Sequence, residues 1–385
     1  MIANRVRHFG TTIFTEMTAL AQQHKAVNLG QGFPDFPAPA YAKEAAERAI
    51  RADINQYAPR HGLPQLRQAI ADKALKHEGL TADPDTEITV LHGATEAIFA
   101  TIMGLVNPGD EVILFEPYYD SYIPSVEFAG GVPRFYTLHP PNWEIVAAEL
   151  TALFNERTKL ILLNTPHNPT GKVYSHAELQ LIADLCIQHD VIAVVDSVYE
   201  HILFDNAQHH TLATFPHMRQ RTVTISSLGK TFSVTGWKVG WTIAPPDLNQ
   251  GIVRGHQFIT FCGVAPLQAA AADMFAWAER EGYYQQLGEM YQRKRDFLLG
   301  ALAEAGLPPL RPQGTYFTMV DISHLGFAND VEFCRYLTTE IGVAAIPPSA
   351  FYQNAADGAT VARFAFCKTD ESLAEAALRL QKIRQ

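Results

Sequence analysis

Only four cysteines occur among 385 residues, Cys186, Cys262, Cys334 and Cys367, and no two of them stand in CxxC spacing. That scatter supplies neither the ligand set of a structural zinc site nor the framework of a disulfide-stapled domain, so no metal and a reducing, cytoplasmic setting are expected. No run of 18 apolar residues occurs, and the first twenty residues, MIANRVRHFGTTIFTEMTAL, lack the continuous apolar core of a signal peptide. Neither a leader nor a membrane partner is expected. Basic residues are in deficit, with 30 Lys and Arg against 40 Asp and Glu for a net charge of -10. A protein that neutralises a nucleic-acid backbone normally carries the opposite balance, so no nucleic-acid partner is expected.

What is present is ordinary for a folded enzyme: 47% hydrophobic and 18% charged residues in a chain long enough for two or three packed units. From about residue 86 the runs TEITVLH, EVILFEP, KLILLNTP, DVIAVVDS and TVTISSLG alternate with amphipathic stretches such as SHAELQLIADLCIQHD. Short Val/Ile/Leu runs bounded by turn residues read as strands buried on both faces, with crossover helices between them. The pattern implies an α/β fold with a mostly parallel sheet. After about residue 290, RKRDFLLGALAEAGL reads as a helix, TYFTMVDIS and TVARFAFCK as strands, and DESLAEAALRLQKIRQ as a closing helix. The expected organisation is an N-terminal segment (1–44) joining a small domain, a large domain (45–289) and a smaller α+β domain (290–385).

The run SSLGKTFSVTGWKVG, residues 226–240, places Lys230 and Lys238 among small and apolar residues. Gly-Lys-Thr ends a P-loop, but that motif needs a glycine five positions before Gly229, and Thr224 stands there. A lysine in a small-residue pocket loses its proton readily and can act as the amine of a Schiff base, while a second lysine holds a phosphate. Together those roles point to pyridoxal phosphate, which also needs a phosphate cradle, a partner for its ring nitrogen and a cover for its ring.

The rest of the sequence offers these parts. Asp196 ends the strand run VIAVVDS, where an open α/β sheet places its ligand contacts and where a carboxylate suits a protonated ring nitrogen. Tyr199, three residues on, suits a ring hydroxyl. LHGATEAIFATIMGL reads as strand, turn and helix, and its helix start with Thr95 makes an anion site. NTPHNPTGKVY carries Asn164 and Asn168 beyond a buried strand, among prolines that stiffen the loop. Arg363 lies in the otherwise apolar VARFAFCK, and its planar guanidinium matches an amino-acid carboxylate.

NTPHNPTG, the D-x-x-Y of Asp196 and Tyr199, SSLGKTFSVTGWKVG and Arg363, in this order and spacing, resemble the class I aminotransferases of the fold-type I pyridoxal phosphate family over essentially the whole chain. VNLGQGFPDFP, NQYAPRHGLPQLRQAI, EPYYDSY and GVAAIPPSAFY look closest to the branch of bacterial methionine aminotransferases and kynurenine aminotransferases, the latter also called glutamine transaminase K. The resemblance implies a ping-pong transfer from methionine, and from aromatic amino acids or glutamine, to a 2-oxo acid. It implies that Lys230 binds pyridoxal 5′-phosphate covalently and then moves protons, that Asp196 pairs with the ring nitrogen, and that Tyr199 and Asn168 contact the ring oxygen. Ala94, Thr95, Ser227 and Lys238 would hold the phosphate, and Tyr119 would stack on the ring. A homodimer with active sites at the interface is implied, with Tyr57 reaching the neighbouring subunit's phosphate. Arg363, with Asn168 and the backbone at Gly32, would grip the substrate carboxylate, and Phe14 and Phe261 would line an apolar side-chain pocket.

Two positions depart from the pattern: Ser197 stands where many relatives have Glu, and Cys262 where the mammalian kynurenine enzymes carry His. The second argues against a strict kynurenine specialist. Two other readings stay open. A cysteine-conjugate β-lyase would use the same cofactor, and a non-catalytic amine sensor would keep only the binding domain, although such regulators usually carry a DNA-binding extension.

Overall fold

The Val/Ile/Leu runs form the middle of a seven-stranded sheet. The structure, a computed structural model, describes residues 2–384. The strands lie in the order Ile88–His92, Val239–Ile243, Thr222–Ser227, Ile192–Asp196, Thr158–Asn164, Glu111–Glu116 and Val132–Thr137. Only Val239–Ile243 runs against its neighbours; the other pairings are parallel. Central strands such as Ile192–Asp196 and Thr222–Ser227 are buried at every position, as a sheet covered by helices on both faces requires.

Sequence reasoning foresees five of the seven strands. The two it misses have local reasons. Val132–Thr137 is the partly exposed edge and carries Pro133, which suits an edge and weakens the strand pattern. Val239–Ile243 carries Gly240 in its interior and comes at once after the Lys238 turn. A short return of this kind suits an antiparallel neighbour, whereas a parallel one needs a long crossover.

The helix His176–His189 shows how the crossovers are delimited. Ser175 accepts from the Glu178 backbone while the Glu178 side chain accepts from that of Ser175, and Asp190 ends the helix in the left-handed region.

A second, antiparallel sheet joins Val361–Ala365, Phe317–Asp321 and Pro309–Leu310. Val27–Asn28 pairs in parallel with Val343–Ala344. Met17 and Leu29 share one buried cluster with Tyr291, Phe333 and Phe364, so the N-terminal segment packs into the C-terminal core. The expected boundaries at 44/45 and 289/290 fall inside the helices Ala40–Arg51 and Tyr283–Glu304. The closing helix spans Asp370–Leu380 and tightens to a 3-10 turn over Gln381–Arg384; Met1 and Gln385 lie outside the described residues. Among the described residues, no helix is long and apolar enough to cross a membrane.

Candidate active site

In the large sheet Asn164 lies in register with Asp196, and Asp196 with Ile225. The carboxyl ends of three parallel strands therefore converge on one edge. Three residues beyond Ile225 the chain enters the short helix Leu228–Thr231 that carries Lys230, and Val239–Ile243 starts directly after Lys238. The two lysines of the apolar run are thus brought to the same edge by one helical turn and one tight return.

A cavity of about 250 Å³ opens there. All of the expected site residues line it except Tyr57 and Phe261. At one end, Ala94 and Thr95 begin the helix Gly93–Leu105, and Lys238 Nζ stands 3.4 Å from Thr95 Oγ1. Ser227, Tyr119, Asp196 and Tyr199 line it as well. Phe14, Gly32, Asn168 and Arg363 also line it, with Asn168 and Phe14 in contact with Arg363. Lys238 is exposed in the single chain, unlike the buried lysine that its apolar surroundings suggest.

Lys230 Nζ lies 3.4 Å from the Gly32 carbonyl and 5.7 Å from the ring centres of both Tyr199 and Tyr316. Burial pushes its ammonium down to about 8, against an ordinary value of 10.5: desolvation disfavours the charged form. The same cause pushes Asp196 up to about 6, against the pull of hydrogen bonds from Tyr122 and Val198 and of the Lys230 charge. Asn164 donates to the Asp196 carbonyl at 2.8 Å and accepts from the Asn168 amide at 2.7 Å, so it braces two strand ends.

Arg363 is 1% exposed. Its Nη2 donates to the Gly30 carbonyl at 2.7 Å and its Nη1 to Asn168 Oδ1 at 3.3 Å, while Nε is buried without a partner. Phe317 and Phe14 pack on the guanidinium, with ring centres at 4.3 and 5.1 Å. Burial lowers it to about 10, so it stays a cation at neutral pH. A buried cation with one unanswered donor is a receptor for an anion.

Tyr57 and Phe261 lie elsewhere. Their rings meet edge to face at 5.3 Å on the surface, and they are 83% and 47% exposed. Phe258 and Ile259 are also exposed nearby in sequence.

Three residues at the site escape sequence reasoning. Tyr122 donates to Asp196 Oδ2 at 2.8 Å. Tyr316 donates to the Gly32 carbonyl at 2.7 Å, the same oxygen that Lys230 faces. Asp120 lines the cavity beside Tyr119. Tyr122 and Asp120 belong to EPYYDSY, where a tyrosine one helical turn after Tyr119 is the available signal; Tyr316 has none.

Residues 24–380 match the family model described as aminotransferase class I and II. A methionine aminotransferase from Escherichia coli strain K12 is 44% identical over 380 residues, covering 99% of this chain and 98% of the relative. A kynurenine–oxoglutarate transaminase from Dictyostelium discoideum is 42% identical, covering 98% of this chain and 95% of the relative. The solved structure of Escherichia coli YbdL, for which a methionine aminotransferase function has been identified, superimposes with a TM-score of 0.96 at 43% identity, covering 99% of each chain.

Proposed function

The chain belongs to the class I and II aminotransferase family and has its fold-type I architecture, and from that premise we propose that it moves the amino group of methionine to a 2-oxo acid with pyridoxal 5′-phosphate as cofactor. Aromatic amino acids and glutamine are further donors in this reading. Methionine is supported by the methionine aminotransferase relatives and by the apolar walls that Phe14, Phe317 and Tyr119 give the cavity.

The cavity's donor set fits that cofactor. Thr95, Ser227 and Lys238, with the backbone at Ala94 and the open N–H groups of a helix start, would hold the phosphate. A Cβ at position 240 would stand 2.5 Å from the Gly93 carbonyl carbon and 2.7 Å from the Ala94 nitrogen, so glycine there is what lets the cradle turn sit where it does. Asp196 would pair with the ring nitrogen, Tyr199 and Asn168 would contact the ring oxygen, Tyr119 would stack on the ring, and Lys230 would bind the aldehyde. The bound group supplies an electron sink for a carbanion at the substrate's α-carbon.

The chain's own residues do the rest. Arg363 binds and orients the substrate carboxylate, its own orientation held by Gly30, Asn168 and the two phenylalanine rings. Lys230 Nζ, deprotonated more readily than an exposed lysine, takes the proton from the α-carbon. Tyr122 holds Asp196 in place, and burial excludes water from both.

Tyr57 and Phe261 act in this reading on the cavity of a second copy, in a homodimer with its active sites at the interface. Their shared exposure, away from their own chain's cavity, supports it. The segment 1–44 and residues 290–385 form the small domain beside the large domain 45–289, as the core shared by Met17, Leu29 and Phe364 suggests. Four free cysteines, three of them buried, suit a cytoplasmic setting.

One observation carries the proposal: a half-buried lysine of lowered pKa and a buried arginine with an unanswered donor face the same cavity. With methionine and a second 2-oxo acid, the protein is expected to form the amino acid of that oxo acid, and Lys230→Ala to form none. Pyruvate released from a cysteine S-conjugate without any oxo acid, in place of amino transfer, would assign a lyase instead.

A further inference from the structure

Five charged side chains line the cavity among the described residues: Asp120, Asp196, Lys230, Lys238 and Arg363. The proposed function, which is the premise here, occupies four of them. Lys238 goes to the phosphate, Asp196 to the ring nitrogen, Lys230 to the reacting amine and Arg363 to the substrate carboxylate. Asp120 is left, a carboxyl group that burial pushes above its ordinary value against the pull of the Arg363 guanidinium and the Ser121 backbone.

Its position gives that carboxyl group a target. Asp120 borders both the cavity and an outer groove lined by residues 8–14 and by Ser121, Pro124 and Ser125; Phe14, Thr95 and Lys238 border both as well. With the substrate carboxylate on Arg363 and the amino group toward Lys230, the third substituent of the α-carbon takes the remaining space of a cavity whose lining includes Asp120 and Phe14. Without substrate, the Arg363 guanidinium is the chief charge acting on Asp120. A bound substrate neutralises that guanidinium with its own carboxylate. Asp120 then meets the substrate side chain without that counter-charge, in a partly buried place where a second carboxylate beside it is poorly screened.

We propose that Asp120 is a specificity-determining residue that selects donors by side-chain charge, admitting neutral side chains such as those of methionine and glutamine and rejecting a second carboxylate. Arg363 demands one carboxylate at the α-carbon, and Asp120 penalises another beyond it. Dicarboxylic donors and dicarboxylic 2-oxo acids are therefore the disfavoured class. The selection works by repulsion of the wrong substrate, which leaves an apolar side chain such as that of methionine nearly indifferent to it.

Glutamine and glutamate have nearly the same shape and differ in charge, so their relative kcat/KM isolates the effect. In the wild-type holoenzyme glutamine is expected to exceed glutamate by roughly tenfold or more. Asp120→Asn should lower that ratio by about tenfold, through a fall in KM for glutamate rather than a rise in kcat. Asp120→Glu, which keeps the charge, should keep the preference. A ratio near one in the wild type, or a ratio that Asp120→Asn leaves unmoved, would overturn the inference, and the wild-type ratio decides even where the variant fails to fold. Failure of the wild type to transfer from methionine and glutamine alike would instead overturn the proposed function and this inference with it.

Discussion

The hydroxyl of Tyr122 donates to Oδ2 of Asp196 at 2.8 Å, inside a region where both groups are buried. Burial drives the Asp196 carboxyl up and this bond draws it down, with a net value of about 6. The tyrosine, with the Val198 amide and the Lys230 charge, therefore favours the ionised aspartate, the form in which it can pair with a protonated ring nitrogen.

Removing that hydroxyl should raise the Asp196 pKa further. Tyr122→Phe is expected to lower kcat/KM for methionine by about tenfold, the worth of one hydrogen bond to a charged group. The acid limb tells a positioning role from a packing one. Cofactor affinity should fall as pH drops through about 6 in the wild type, and the fall should begin at higher pH in the variant. An acid limb at the same pH in both proteins would mean that the bond does not tune Asp196.

Lys230 carries a second pH dependence, one of stability. Its pKa of about 8 in the folded chain lies below the ordinary 10.5, so the folded state binds the proton more weakly than the unfolded one. Between those two values the cofactor-free protein gains stability as pH rises. Lys230→Met, which removes the charge, should thus be more stable than the wild type at pH near 7, by at most about 3 kcal/mol, less the screening by cavity water. The advantage should fade as pH climbs past 8. Urea unfolding of both cofactor-free proteins at neutral and alkaline pH checks it; an advantage that does not shrink with pH would place the lysine's cost elsewhere.

Much of this site is legible in the sequence because its parts sit at strand ends. Asp196 and Asn164 close continuous apolar runs, and Lys230 and Lys238 interrupt one, so each stands out against its neighbours. Arg363 does so within a strand. Tyr122, Tyr316 and Asp120 do not, because their roles come from contacts across 74 residues in sequence, as for Tyr122 and Asp196, or from facing a shared cavity. Aromatic residues in an apolar setting look like core until a partner appears. The strand Val239–Ile243 is hidden by Gly240, the residue whose lack of a side chain makes room for the turn at Gly93 and Ala94. Phe261 reads as a pocket residue from the resemblance, yet a single chain leaves it on the surface beside Tyr57.

That surface pair yields a test of subunit exchange. Tyr57→Ala and Lys230→Ala chains should each be impaired alone, the first through weakened hold on the phosphate. If Tyr57 serves the partner's site, a mixed dimer of the two contains one site with both residues intact. Mixing unfolded chains of the two variants and refolding them together should therefore restore activity, up to about a quarter of the wild-type level for statistical pairing. No restoration, with dimers present, would show that Tyr57 acts within its own chain or not at all.

Every other assignment depends on Lys230 binding pyridoxal phosphate in a cavity where Arg363 presents an amino acid to it. The decisive measurement is the absorption spectrum of the purified protein supplied with pyridoxal phosphate, recorded before and after methionine is added without any oxo acid. A band at the edge of the visible should collapse to shorter wavelength as methionine is added, with one equivalent of the matching 2-oxo acid released per chain, and Lys230→Ala should show no such behaviour. A protein that acquires no band would refute the assignment at the cofactor, and a band that methionine leaves unchanged would refute it at the donor.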